Sequence, residues 1–201
     1  MDGPKLVGTE KLTDERWLNL FARTFTRAGR TFRWLFASRK AEPGGPARPD
    51  AVLIVPILVD GGVPGGEAAG AEPRLVATRE WRVPIWDYEW GVPAGLIDGD
   101  ESVVEAARRE LFEETGYELL DVLKVSPPNY SSTGMTDELV VIVFCTCRTP
   151  SDHRQHLDGA EQIEVRLLTM ADVDRLVDAQ DPINGRAWTV FYLFHRLGRL
   201  L

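Results

Sequence analysis

The spacing of hydrophobic and polar positions changes several times along the chain, and each change marks an element. From Trp17 to Lys40 aromatic and polar residues alternate on either side of Gly29, which predicts a β-hairpin. Glu42–Asp50, rich in Pro and Gly with no period, reads as a loop. Ala51–Val59 is apolar almost throughout and predicts a buried strand. Asp60–Pro73, full of Gly and Ala, predicts a surface loop. Leu75–Val83 returns as a strand, and Asp87–Val92 continues the sheet toward Pro93-Ala-Gly95. Leu139–Cys145 is apolar at consecutive positions, as in a strand covered on both faces.

Helical spacing appears three times. Ser102–Thr115 carries the clearest signals, with Ser102 and Glu105 forming a capping box and Gly116 at the position after the helix. Thr169 caps a short helix through about Ala179. Gly185–Leu201 places Trp188, Phe191, Phe194 and Leu197 at helical intervals. Strands, a helix, further strands and terminal helices together predict a mixed α/β domain with a helix-flanked sheet.

Composition narrows the setting. A chain of 201 residues that is 44% apolar builds its core without a disulfide scaffold. Cys145 and Cys147 would share a strand face with Cα atoms about 6.5 Å apart, near the limit for a bridge, so free thiols and a cytoplasmic setting are expected. No basic leader precedes an apolar stretch, and no apolar run nears the ~20 residues of a membrane span. With 31 acidic against 23 basic residues the net charge is −8, which argues against nonspecific nucleic-acid binding.

The chemistry concentrates on the predicted helix. Glu110, Glu113 and Glu114, spaced i, i+3 and i+4, form an acidic stripe beside the apolar Val104, Ala107 and Leu111. Like charges this close, near a helix C-terminus, oppose helix stability. A hard divalent cation with oxygen ligands would remove the conflict; taken alone, the stripe reads first as a solvated acidic face. The residues around it decide. Gly95, Glu101, Arg109-Glu110, Leu111, Glu113-Glu114 and Gly116 fall at the spacing Gly-x5-Glu-x7-Arg-Glu-U-x-Glu-Glu-x-Gly, where U is a bulky aliphatic residue. A chance match is on the order of one in a million.

This stretch resembles the Nudix box, departing only at Tyr117 in the final aliphatic slot. Pro93–Asp98, Ser131–Glu138 and Glu161–Val165 are similar to segments of the ADP-ribose and nucleotide-sugar pyrophosphatase branch. The resemblance implies a Nudix α/β/α sandwich with a mixed sheet over residues 46–201, preceded by an N-terminal antiparallel hairpin region, residues 1–45, that serves as a dimer element. It implies Glu110 and Glu114 as the main Mg²⁺ ligands, with Mn²⁺ an alternative, and Glu113 and the Ala94 carbonyl completing the shell. Catalytic roles fall to Glu113, Glu114 and a loop glutamate acting as base, Glu161 first and Glu138 second. Arg109 would pair with Glu113.

The substrate implied is a small nucleoside diphosphate derivative, ADP-ribose or a related nucleotide sugar, with Arg79, Arg82 and Glu138 on the substrate side and Arg82 the better match for a phosphate grip. Trp81, Trp86, Tyr88 and Trp90 fall within ten positions; core packing accounts for some of them, and an exposed one would offer a ring for a nucleobase to stack on. Gly91 stands where the branch usually has Glu, and Ser132-Thr-Gly134 where it has Ser-Pro-Gly. These departures leave the sugar and base open. A Nudix-like sensor that holds its ligand uncleaved, and a dinucleoside-polyphosphate or cap hydrolase, are the alternative readings. His153 and His156 lack a third ligand nearby and, like His195, read as structural.

Overall fold

A computed structural model describes residues 3–44, 48–60 and 72–200. Most of the predicted loop Asp60–Pro73, part of Glu42–Asp50, and Leu201 lie outside the described residues. The chain divides into two units, Met1–Ala51 with Pro128–Val140, and Val52–Pro127 with Val141–Leu201.

The first unit holds a three-stranded antiparallel sheet: β1 (Lys5–Lys11), β2 (Asn19–Arg27) and β3 (Arg30–Ser38), in that order. The predicted hairpin is β2–β3. Its turn places both Ala28 and Gly29 at positive φ, 49° and 72°, as a two-residue turn that follows the strands' twist requires. Cross-strand pairs Phe21–Phe36 and Phe25–Phe32 stack with centroids 5.8 and 5.5 Å apart. β1 was not anticipated, because all seven of its residues are exposed and leave no apolar signature. Residues 128–140 join this unit through a parallel bridge between Ala37 and Thr136 and a bond from Trp34 Nε1 to the Gly134 carbonyl.

The second unit is built on strands β4 (Ala51–Leu58), β5 (Arg74–Arg82), β6 (Asp87–Gly91), β7 (Ala94–Leu96), β8 (Glu118–Val125), β10 (Leu139–Arg148) and β11 (Ile163–Leu168), while β9 (Asn129–Tyr130) falls in the first. Their order is β11-β5-β4-β10-β8, with β6 on β5, β7 on β4 and β9 on β10. Helix α1 (Val103–Thr115) packs Ala106, Ala107 and Leu111 against Val52, Ile54, Val76, Val141, Val143, Cys145 and Cys147, all buried. Each Val, Leu or Ile side chain among these contributes roughly 1.5–3 kcal/mol on full burial. Leu53, Val55, Ile57, Leu75 and Ala77, which alternate with these, are equally buried, so the sheet is covered on both faces. The fold is thus the expected α/β class with a mixed sheet. Helices α2 (Met170–Val177) and α3 (Gly185–Leu197) follow, capped by Thr169 and Asn184. Both cysteines are free, and burial pushes the Cys145 thiol up to about 12. Among the described residues no helix is long and apolar enough to cross a membrane.

α1 is fixed at both ends. Ser102 Oγ accepts from the Glu105 N–H, while Glu105 Oε2 accepts from the Ser102 N–H at 2.8 Å. Gly116 ends the helix at φ +76°, and a Cβ there would lie 2.9 Å from both the nitrogen and the carbonyl oxygen of Arg154. Gly198 ends α3 at φ +65° with nothing within 4 Å of the same added atom. The two positions share a backbone strain and differ in space. Gly198→Ala is therefore expected to cost about 1–2 kcal/mol, and Gly116→Ala clearly more, in denaturant unfolding. Equal costs would show that the Arg154 backbone yields freely.

Candidate functional site

The last two turns of α1 carry the acidic stripe. Glu110 and Glu114 turn inward, Glu114 to 6% exposure, while Glu113 stays partly exposed. Arg109 serves as the common partner of this end of the box. Its Nε and Nη2 donate to the two Glu101 oxygens at 2.8 and 2.9 Å, and its Nη1 to Glu110 at 2.8 Å and Glu113 at 3.0 Å. A further bond from Nη2 reaches the Leu96 carbonyl at 2.9 Å. These carboxylates hold the guanidinium far up its range, Glu101 foremost. Pairing of Arg109 with Glu113 was expected; Glu101 had no assigned role, and the structure makes it the carboxylate that fixes the arginine's plane.

Gly95 has a steric reason. A Cβ there would stand 1.9 Å from Glu110 Cδ, so any other residue would push that carboxylate from the place where glycine lets it lie against β7. One residue earlier, the Ala94 N–H donates to Glu114 Oε2 at 3.0 Å. Burial raises the pKa of Glu110, against the pull of Arg109, and raises that of Glu114 well above the usual range despite the Ala94 bond. The negative charges of Glu80, Glu110 and Glu161 push Glu114 further the same way.

Strand alternation sorts the residues upstream. Val76 of β5 faces α1, so Thr78, Glu80 and Arg82 share that face, and the cross-strand partners Gly91, Glu89 and Asp87 lie there too. Arg82 Nη2 bonds Glu80 at 2.7 Å, and its Nε lies 3.7 Å from Glu89. Arg82, Glu80, Glu89, Gly91 and Ala94 line one small cavity of about 20 Å³. Arg79 lies on the opposite face. It stacks over Tyr88 at 4.7 Å and stands 3.8 Å from Glu164. The predicted pair of phosphate-binding arginines is therefore split: Arg82 is on the Ala94 side, and Arg79 is not. Trp81, Tyr88 and Trp90 share the Arg79 face, where Trp81 packs edge-on against Trp86 and Tyr88 at 5.6 and 5.3 Å. Glu80 escaped the sequence reading. Its signal was the strand period itself, which puts it two residues from Arg82 on the same face.

Glu161 follows a turn in which its side chain accepts from the Asp158 N–H at 2.9 Å, and its charge raises the pKa of Glu80, Glu110 and Glu114. Glu138 belongs to the first unit, where Ser131 Oγ donates to it and Arg39 lies 3.5 Å away. His153 and His156 pack against the end of α1, and His195 contacts Asp174 at 2.9 Å.

Comparison with known proteins identifies the arrangement. The NUDIX domain family model matches residues 48–189. The chain belongs to the Nudix family. ADP compounds hydrolase NudE of Escherichia coli is 39% identical over 149 residues, 74% of this chain and 70% of the relative. ADP-ribose pyrophosphatase of Bacillus subtilis is 29% identical over 123 residues, 61% and 66% of the two chains. ADP-sugar pyrophosphatase of Mus musculus is 30% identical over 146 residues, 72% and 62%. The chain thus spans about two thirds of the length of these relatives and falls in the ADP-ribose pyrophosphatase branch of the Nudix hydrolases. A crystal structure of an ADP compounds hydrolase matches all of this chain and 98% of its own with a TM-score of 0.74 at 23% identity, which shows the shared fold.

Among the described residues, no three Asp, Glu, His or Cys side chains converge into a ready metal cage, and Arg109 occupies oxygens of Glu110 and Glu113. The donor chemistry nonetheless suits a hard divalent cation, the kind of ion Nudix hydrolases use. Only carboxylate and carbonyl oxygens are on offer, and the most buried of them carries a charge opposed by its surroundings. The sign of that opposition is testable. A carboxyl whose folded pKa lies above its unfolded value of 4.5 costs nothing when protonated in both states, and destabilises progressively as pH rises from 4.5 to the folded pKa. In chelator, Glu114→Gln is expected to be at least as stable as wild type at pH 7, with its advantage shrinking toward pH 4.5. A variant less stable than wild type at both pH values would show that Glu114 is well compensated.

Proposed function

We propose that this Nudix protein is a Mg²⁺-dependent pyrophosphohydrolase that splits a nucleoside diphosphate sugar, with ADP-ribose the first substrate to test, into a nucleoside monophosphate and a sugar phosphate. The observation that carries the reading is the buried Glu114, with no cationic side chain among the described residues bonded to it, beside the half-buried Glu110, whose pKa stays raised despite its bond to Arg109. Glu110, Glu113, Glu114 and the Ala94 carbonyl would hold the metal, with Mn²⁺ able to substitute. When bound, the ion would neutralise diphosphate oxygens, polarise the phosphoryl group and lower the pKa of water.

The chain's own residues do the rest. Glu161 takes a proton from the attacking water as its oxygen bonds to phosphorus; the P–O bond to the bridging oxygen breaks and the second phosphate leaves with that oxygen. Arg82, held by Glu80 and Glu89, presents its remaining N–H groups to a phosphate oxygen. Arg109 holds Glu113 in place.

The protein acts as a homodimer in this reading. The first unit presents Phe32 and Trp34 on one face of its sheet at 44% and 54% exposure, an apolar surface suited to a second copy. A reducing compartment such as the cytoplasm suits the two free thiols.

Incubation with ADP-ribose, other nucleotide sugars and dinucleoside polyphosphates, with Mg²⁺ or Mn²⁺ and mass identification of products, tests the activity. AMP and ribose phosphate are expected from ADP-ribose. Glu114→Gln should lower turnover by more than the ~10–100-fold typical of changes outside the metal shell, and Glu161→Gln by roughly 10²–10⁴-fold. Binding of every panel member without cleavage would favour a sensor.

A further inference from the structure

Residues 153–156 cross the C-terminal end of α1 and take its last three carbonyls in turn. The His156 N–H donates to the Glu113 carbonyl at 2.7 Å, the Gln155 side-chain amide to the Glu114 carbonyl at 2.7 Å, and His153 Nε2 meets the Thr115 carbonyl at 3.1 Å. Those carbonyls are among the four that every helix end leaves without an intrahelical donor. The imidazoles add packing: His156 stacks on Phe112 at 5.4 Å, and His153 lies 4.4 Å from the Tyr117 ring.

Gln155 makes a second bond that the histidines lack. Its other amide hydrogen goes to the carbonyl of Ile163, the opening residue of β11, at 3.1 Å. One side-chain amide thus ties the backbone of Glu114 to a point two residues beyond Glu161. The intervening turn is closed by the Glu161 N–H to Asp158 carbonyl bond at 2.9 Å, and by the return bond from the Asp158 N–H to the Glu161 carboxylate. On its far side the Gln162 carbonyl accepts from the Trp81 N–H at 3.0 Å, and the Gln162 amide donates to Tyr88. Glu161 is therefore suspended between the end of α1 and the β5–β6 hairpin, within reach of the charges on Glu80, Glu110 and Glu114.

We infer that Gln155 is a positioning residue for the reaction: its amide couples the acidic end of α1 to the Glu161 turn and sets where the Glu161 carboxylate stands relative to Glu110 and Glu114. This rests on the hydrolase reading with Glu161 as base. Gln155 touches no substrate in this account, so its removal acts through position: the Glu161 turn loses its tie to α1, whose end keeps the bonds of Gly116, His153 and His156.

Two variants separate the bonds from the bulk. Gln155→Ala removes both donors, and Gln155→Glu keeps the length but turns a carboxylate toward two carbonyls. With ADP-ribose and Mg²⁺, each is expected to lower kcat about 10–100-fold with KM changed less than about twofold. In the Glu161→Gln background, adding Gln155→Ala should cost nothing further, because the residue it positions is already gone. A wild-type kcat in both variants, or a full multiplicative loss in the double variant, would overturn the inference. Hydrogen exchange read by mass spectrometry gives an arm independent of turnover. Gln155→Ala should speed exchange at 158–163 while α1 residues 106–111 stay protected; unchanged exchange at 158–163 would refute the tether. Should wild type leave ADP-ribose intact, the substrate reading fails, and the exchange comparison still decides the role of Gln155.

Discussion

Burial of negative charge at the end of one helix is the constraint that organises this protein. Glu114 is almost wholly out of water with a single backbone N–H donor, and three other carboxylates push its ionisation the same unfavourable way. Its place in the last turn of α1 also sets it against the helix dipole. Arg109 does not resolve this, because its bonds go to Glu101, Glu110 and Glu113. A charge left so poorly compensated persists only where the scaffold holds it there, and here it is the feature that invites a cation.

The scaffold does so by giving α1 two jobs on adjoining stripes. Ala106, Ala107 and Leu111 lock it onto the sheet, and the neighbouring stripe holds the glutamates at fixed separation. A capping box secures the start. The end is secured by Gly116, which turns the chain where no other residue would fit, and by the 153–156 segment. Gly95 completes the geometry from the sheet side, letting the backbone of β7 lie against Glu110. Backbone stands where a Cβ on Gly116 would be, and the Glu110 carboxylate, which would have to move, where one on Gly95 would be.

What the sequence made legible follows from the range of the interactions involved. The box and its helix could be read directly, since capping, termination and the spacing of Glu110, Glu113 and Glu114 are all local. The strands β4 and β10 announced themselves as unbroken apolar runs. β1 did not, because an edge strand with every side chain exposed has no pattern to display. β8 was missed for a related reason: most of its residues are exposed and its pairing with β10 shifts register twice.

The site shows the same division. Arg79 and Arg82 look alike as neighbours in a basic stretch, yet strand alternation sends them to opposite faces, and Glu80 joins Arg82 by the same rule. Gln155 offered no local signal at all, since its partner Glu114 lies 41 positions away. The segment 128–140 likewise joins the N-terminal strands through contacts no periodicity encodes. The most direct test of the central claim is thermal unfolding with and without Mg²⁺, in wild type and Glu114→Gln. The ion is expected to raise the wild-type Tm in a concentration-dependent way, and this rise to disappear largely in the variant. An equal rise in both proteins, or none in wild type, would contradict it.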